Sequence, residues 1–344
     1  MEIIADLHLH SKYSRAVSQN MVVSQIALWA GKKGIRLVGS GDFTHPLWLR
    51  ELKENLKEVS FGLYALKSQE KEINNSQSLK KEAPLFLLTT EIASIYSQEG
   101  KSHRIHNLIF APDFKTVEEI NLKLRSREVN LFSDGRPITG LSSQAICELV
   151  LSVNKDCLVI PAHIWTPWFS LYGSNSGFDS LKECFGEFAP QIKAIETGLS
   201  SDPAMNWRIE ELDGKSILSF SDAHSPQKLG REATVFEVSK ENKLDYEQIK
   251  KAIANQQIAY TIEFYPEEGK YHWSGHRTCQ VKQSPPETAR LGTTCPVCGR
   301  RLTVGVMHRV EQLARRSAEE VVVSRDHWVK STADRPPYVM SVPL

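Results

Sequence analysis

Hydrophobic runs of membrane length are missing from this 344-residue chain. The longest apolar stretches, such as Ala83 to Leu88 and Cys157 to Ala162, fall far short of the roughly 20 residues that span a bilayer, and they suit buried strands. A helical membrane protein is excluded. A secretory leader is also missing: Met1-Glu2-Ile3-Ile4-Ala5-Asp6 has neither a basic n-region nor a leader-length apolar core and reads as a first strand. A cytoplasmic protein is expected. In that compartment the 6 cysteines argue against a disulfide framework, and three of them crowd together near the C-terminus, where metal binding is the better use. With 41% hydrophobic and 24% charged residues, disorder as the main state is excluded too.

An excess of one charge is lacking overall, with 42 Lys+Arg against 41 Asp+Glu, but the balance has two unequal parts. Residues 271–344 carry 11 basic and 6 acidic side chains, which leaves 31 and 35 for residues 1–270. The basic tail suits contact with a polyanion such as nucleic acid.

What is present is a repeated alternation of short apolar runs with helix-length amphipathic stretches through about 260 residues. The candidate strands are Glu2 to Ala5, Arg36 to Gly39, Leu85 to Thr89, Asn107 to Ala111, Leu158 to Pro161, Ala194 to Glu196, Ser216 to Phe220 and Ala233 to Val238. Val22 to Lys33, Leu47 to Lys57, Thr116 to Ser126, Ser143 to Val153 and Tyr246 to Ala254 are candidate helices. So many βα repeats predict an α/β fold with a closed or nearly closed barrel. The polar stretch Ser68 to Glu82 is expected to be a mobile connection or helical surface. After Thr261, prolines and glycines from Pro266 to Gly299 break up a small loop-rich module. A basic, helical-looking segment follows, with Val306, Val310 and Leu313 on one face and Arg309, Arg315 and Arg316 projecting away.

Polar residues gather where the predicted strands end. Asp6, His8 and His10 follow the first, Asp42 and His45 the second, Glu91 the third, His163 the Leu158 run, and Asp222 and His224 follow Phe220. In a βα barrel those ends converge on one mouth, so residues distant in sequence meet there. His8 and His10 alternate, which puts both imidazoles on one side of a strand, and Asp222-Ala223-His224 repeats that spacing. Several histidines around carboxylates supply the nitrogen and oxygen donors that zinc, manganese or iron take. Of His103 and His106, only one need face inward, and His106 is the better candidate.

Near the C-terminus, Cys295 and Cys298 form a CxxC followed by Gly299, the tight knuckle that lets two thiolates hold one tetrahedral zinc. Cys279 supplies a third ligand and His276, with two residues between them, most simply the fourth, with His272 as the fallback. A structural zinc is expected in this module, while Cys147, Cys157 and Cys184 sit in apolar contexts that suit small core residues. Arg300 and Arg301 beside the knuckle form a positive surface that phosphates would favour.

Asp6-Leu7-His8-Leu9-His10-Ser11, then Asp42, Glu91, His106, His163 and Asp222-Ala223-His224, resemble the ordered motifs of the polymerase and histidinol phosphatase (PHP) superfamily. The resemblance covers residues 1 to about 262 and implies a distorted (β/α)7 barrel holding up to three metal ions that hydrolyse phosphoesters. By that resemblance His8, His10, Glu91 and Asp222 hold one ion, Glu91, His106 and His163 a second, and His45 or Asp42 with His224 a third. Many members have Thr-Asp-His after strand two; this chain reads Gly41-Asp42-Phe43-Thr44-His45, which leaves the third position open, with His45 as a substitute ligand.

Within the superfamily, Gly39 to Pro46, Pro161 to Trp168, Gly275 to Cys279 and Cys295 to Gly299 are similar to endonuclease Q. That similarity implies cleavage of DNA 5′ of deaminated bases (uracil, hypoxanthine, xanthine) and abasic sites, with His8, His10, Glu91, His163 and Asp222 as the catalytic set. It also implies a longer chain, with Leu344 a fragment end. The implied organisation is a PHP metallohydrolase domain over 1–262, a zinc ribbon over 263–305 and a basic helical C-terminal segment over 306–344. Zinc is expected in the ribbon and the barrel, with magnesium or manganese as the other active-site choices. Lys12, Tyr13, Arg15 and Arg104 are candidate phosphate contacts, and Trp165, Trp168 and Phe169 form either an aromatic wall for a flipped base or core packing under the rim. The rival enzyme is a small-molecule phosphoesterase like the histidinol phosphatases, which leaves the ribbon unexplained; a binding module with an inactive barrel is disfavoured because the ligand residues are present.

Overall fold

The computed structural model describes residues 1–69, 83–239, 243–325 and 328–342. Of the polar stretch from Ser68 to Glu82, residues 70–82 lie outside them. The strands are β1 (Glu2–Asp6), β2 (Leu37–Gly39), β3 (Leu56–Ser60), β4 (Leu63–Leu66), β5 (Leu85–Gln98), β6 (Lys101–Ala111), β7 (Ile138–Thr139), β8 (Leu158–Pro161), β9 (Ala194–Glu196), β10 (Ser216–Leu218), β11 (Ala233–Glu237), β12 (Ile258–Glu263), β13 (Ser274–His276), β14 (Val281–Gln283), β15 (Val322–Arg325), β16 (Val329–Ser331) and β17 (Tyr338–Met340). Among the helices are α1 (Val23–Lys33), α2 (Pro46–Asn55), α3 (Phe114–Ser126), α4 (Ser143–Val153), α5 (Leu181–Phe185), α6 (Pro203–Trp207), α7 (Tyr246–Ala254), α8 (Pro285–Leu291), α9 (Val306–Leu313) and α10 (Ala318–Val321).

Side-chain alternation along the strands builds two cores. Leu85, Leu87, Leu108, Phe110 and Ile160 meet Ile3, Leu37, Leu218 and Phe236 on one side. Phe86, Leu88, Ile109 and Val159 face the other side and meet Ile26, Ile120 and Ile146 of α1, α3 and α4. With both faces covered, these strands read as unbroken apolar runs. Helix starts follow from capping: the side chains of Asp113, Ser142 and Asp245 accept from the N–H groups of Thr116, Ala145 and Gln248.

The result is a mixed α/β fold. Hydrogen-bonded ladders run β11, β1, β2, β5, β6, β8, while β9 and β10 pair in parallel as a separate ladder. The parallel pairing expected of βα repeats holds for β1 with β2 and β2 with β5. It fails beyond, because β5 and β6 form a long antiparallel hairpin turned at Glu99 and Gly100, β8 pairs antiparallel with β6, and β11 pairs antiparallel with β1. The extension was hidden by composition: past Thr89 the strand carries Glu91, Ser94 and Ser97, which end the apolar run without ending the strand.

Beyond β12 the expected helical segment 306–344 is helical only over α9 and α10. Val306 and Val310 dock α9 on the main core. The β-branched run from Val321 to Val323 then turns to strand, and β17 lies parallel to β12 with Tyr338 opposite Thr261. Trp207, Val321, Val329 and Tyr338 seal this edge in a small core of their own. Among the described residues no helix is long and apolar enough to cross a membrane.

Candidate active site

One end of the sheet collects the histidines and carboxylates. Leu9 bridges Ala223, with His10 N–H donating to Ala223 O at 3.1 Å and Ala223 N–H to His8 O at 3.3 Å, so the HxH lies beside the Asp222-Ala223-His224 turn. Glu91 rises from β5, His106 from the adjoining β6, and His163 just past β8. Asp42, His163 and Asp222 have left-handed φ values of 45°, 31° and 45°, a strained backbone for such residues that re-aims the chain as it leaves a strand.

Glu91 is the centre. Its Oε1 lies 2.7 Å from His106 Nδ1, 3.1 Å from His163 Nε2 and 3.6 Å from His8 Nε2, and its Oε2 lies 3.4 Å from His10 Nε2. Asp222 Oδ1 is 3.2 Å from His10 Nε2, 3.6 Å from His8 Nε2 and 3.5 Å from His224 Nδ1. Three overlapping sets, His8/His10/Glu91, His10/Asp222/His224 and Glu91/His106/His163, each bring ligand atoms within 4.8 Å of one another. His8 Nε2, His10 Nε2 and Asp222 Oδ1 are buried with no hydrogen-bond partner. Orphaned polar atoms cost about 1–3 kcal/mol each, and imidazole and carboxylate lone pairs brought this close suit a divalent cation, so the donor set fits a metal cofactor.

Burial opposes charge here, yet the neighbours win for most groups. Desolvation works to lower the His8 pKa, but Glu196, Asp222 and Glu91 hold it well above the ordinary value. Glu91 is favoured by burial as the neutral acid, but His106, Arg136 and His8 hold it well below the usual range. His106 goes the other way, to about 4, because burial outweighs Glu91.

Behind these groups lies a second layer of polar contacts, part of which sequence reasoning missed. Asp42, an alternative to His45 for the third ion, belongs to none of the three sets; it bonds His10 Nδ1 at 3.0 Å and accepts from Ser11 N–H, Ser11 Oγ and Ser14 Oγ at 2.6, 2.7 and 2.8 Å. His45, the substitute ligand, belongs to none of the three sets; its ring stacks on Tyr13 at 4.4 Å. Glu196 was missed. It bonds His8 Nδ1 at 2.8 Å and accepts the His163 N–H at 2.8 Å, the carboxylate-to-histidine support typical of metal sites. Its signal was the one that found Glu91, a carboxylate ending a strand. Arg136 was also missed: it donates to Glu91 Oε2 at 3.1 Å from an irregular loop that has no pattern to read. The preceding Gly135 is needed there, since a Cβ would come within 2.3 Å of Asp42 Oδ2 and Ser14 Oγ.

The candidate substrate contacts divide. Trp165 is fully buried, with Nε1 donating to Asn206 at 2.8 Å, so it is core rather than pocket wall. Trp168 is half-exposed against Tyr271, and Phe169 lies 4.7 Å from His106 with Arg104 over its ring. Lys12 is paired with Glu51 at 2.8 Å, while Arg15 is exposed.

Farther along the chain, His276, Cys279, Cys295 and Cys298 bring their ligand atoms within 4.8 Å of one another; His272 stays outside. Burial favours the neutral thiol, yet the N–H groups of Cys298 and Val297 draw Cys295 down to about 6, which suits a thiolate ligand. Arg300 and Arg301 are exposed. Arg309 and Arg316, expected to project away, instead tie α9 to the body: Arg309 donates to Tyr172 O at 3.0 Å, and Arg316 donates to Trp207 O at 3.0 Å and pairs with Asp213.

No family model matches the chain. In sequence it is 31% identical over 357 residues to the uncharacterized protein YqxK of Bacillus subtilis, across 100% of this chain and 82% of that protein. It is 36% identical over 184 residues to the uncharacterized MJ0043 of Methanocaldococcus jannaschii, across 52% of this chain and 21% of that protein. Among solved structures, the lesion-specific endonuclease PfuEndoQ of Pyrococcus furiosus matches 99% of this chain and 76% of its own at 33% identity and a TM-score of 0.79. Endonuclease Q complexed with a 27-mer duplex bearing an abasic lesion at its active site matches 100% of this chain and 77% of its own at 33% identity and a TM-score of 0.80. Agreement of that extent, alongside a histidine and carboxylate cluster fit for metal, means that the chain belongs to the endonuclease Q family.

Proposed function

We propose that this protein is a DNA repair endonuclease that hydrolyses the phosphodiester 5′ of deaminated bases (uracil, hypoxanthine and xanthine) and of abasic sites. The observation that supports it most is the likeness along the whole chain to an enzyme seen with an abasic duplex at its active site. His8, His10, Glu91 and Asp222 would hold one ion, Glu91, His106 and His163 a second, and His224 with Asp222 and His10 the remaining one. When bound, such ions supply Lewis-acid stabilisation of the phosphoryl oxygens and a nucleophile at neutral pH. The protein's own part is placement. Glu196 and Asp42 fix the tautomers and tilts of His8 and His10, Arg136 holds Glu91 between the two histidine groups, and the buried setting keeps these charges strong.

Zinc is the proposed occupant of the Cys/His module and of the main site, with magnesium or manganese the alternatives at the latter. The main sheet together with the β9–β10 ladder is read as the distorted (β/α)7 PHP barrel, with domains over 1–262, 263–305 and 306–344. Arg15, Arg104, Trp168 and Phe169 at the mouth and Arg300 and Arg301 on the module would contact DNA. Labelled duplexes carrying uracil, hypoxanthine, xanthine, an abasic site or no lesion test the reading. A nick 5′ of the lesion, with the damaged base still attached, is expected. Equal cutting of undamaged DNA, or turnover of sugar phosphates alone, overturns it.

A further inference from the structure

Beside the metal cluster, the loop over residues 130–137 holds an aromatic ring out into solvent. Phe132 is 62% exposed, more than any other aromatic residue among the described ones. It is nonetheless firmly placed. Phe132 N–H donates to Asn130 Oδ1 at 3.0 Å, and its ring meets His45 edge-on at 6.0 Å, with His45 in turn stacked on Tyr13. The loop is tied to the site at its far end: Gly135 N–H donates to Tyr13 O at 3.1 Å, Thr44 Oγ1 donates to Gly135 O at 3.2 Å, and Arg136 reaches Glu91. Three residues thus separate an exposed apolar ring from a guanidinium on the central carboxylate. Trp168, the other half-exposed ring of the mouth, is packed against Tyr271 at 5.8 Å and is less free to enter a ligand.

We propose that Phe132 is a wedge that enters the base stack of the DNA duplex beside the nucleotide drawn into the metal site. The proposal rests on the lesion-nuclease reading. Extruding a nucleotide leaves its neighbours unstacked, and an aromatic face that takes the vacated place offsets that loss whatever the sequence, because every base has a π-face. The anchored loop sets the ring at a fixed offset from Glu91, so insertion and phosphate placement occur together.

The test is single-turnover nicking of two duplexes that differ only in the setting of one uracil, paired with adenine or placed in an unpaired bubble. Phe132→Ala should slow nicking of the paired duplex by about tenfold or more and of the bubble by about threefold or less, since a bubble is already unstacked. Phe132→Trp should restore the paired rate. Fluorescence of 2-aminopurine next to the uracil should rise on binding the unsubstituted protein and stay low with Phe132→Ala. Equal slowing on both duplexes, or none on either, overturns the wedge and spares the nuclease reading. Failure of the unsubstituted protein to nick either duplex overturns both.

Discussion

The molecule carries two clusters of metal-ligating side chains, and they are built in opposite ways. The larger draws on residues from His8 to His224, far apart in sequence and joined by strands that are buried on both faces. Each of its key histidines is already held by a carboxylate, His8 by Glu196 and His10 by Asp42. The smaller takes its four ligands from 276–298, with Cys298 on the surface and a short hairpin and a helix of seven residues around it. In the first case a fold positions ligands; in the second, ligands around an ion must stand in for a core. Loss of metal should therefore silence the first region without unfolding it, and unfold the second without touching the first.

The sharpest way to break that comparison is Asp222→Ala. It removes an unpartnered buried oxygen that belongs to the His10/Asp222/His224 set and also lies 3.6 Å from His8 Nε2. Nicking should fall by several powers of ten, on the order of 10⁴ or more, while far-UV circular dichroism and DNA binding stay close to those of the unsubstituted protein. A large loss of folded signal would mean that the cluster, like the smaller one, holds its region together.

A smaller effect is expected from the second layer. Glu196→Gln keeps size and one acceptor, but the carboxylate accepts from both His8 Nδ1 and the His163 N–H, each at 2.8 Å, and an amide cannot serve both without presenting a donor to a donor. Roughly 10–100-fold should be lost in metal affinity or in nicking, with partial rescue by added metal ion, because the ligands remain and only their orientation suffers. No rescue at any metal concentration would place Glu196 among the ligands instead.

The legibility of the molecule follows the same divide between what is patterned and what is not. Strand-end histidines are conspicuous because several recur at such ends and the apolar run before each one marks where it sits. His106 was preferable to His103 on the same logic, and the structure places His106 on Glu91 while His103 stacks on Phe178 at 3.8 Å. Position alone cannot separate a ligating carboxylate from one that supports a histidine, as Asp42 does at His10 Nδ1, since both occupy equivalent strand ends. The long β5–β6 hairpin stayed hidden because polar residues such as Glu91, Ser94 and Ser97 interrupt the apolar run. Arg136 and Phe132 belong to a loop without periodicity, where only three-dimensional contact gives a side chain meaning.

The smallest expected effects come from the second region and sharpen the comparison from the other side. Cys295→Ser with Cys298→Ser should release one metal ion by elemental analysis, expose 274–305 to protease and weaken DNA binding by about tenfold. The main body has its own two cores and should keep its thermal transition. Arg300→Gln with Arg301→Gln leaves all four ligands in place and should cost less, a few-fold in affinity, equally for damaged and undamaged duplexes. The slope of log affinity against log salt should fall by about 2, since each arginine that meets a phosphate releases roughly one counterion. Both substitutions should spare the nicking rate at saturating DNA, because neither removes a group within reach of Glu91. If the cysteine pair instead abolishes nicking even at saturation, the two regions are one active site, and the separation drawn from their construction is wrong.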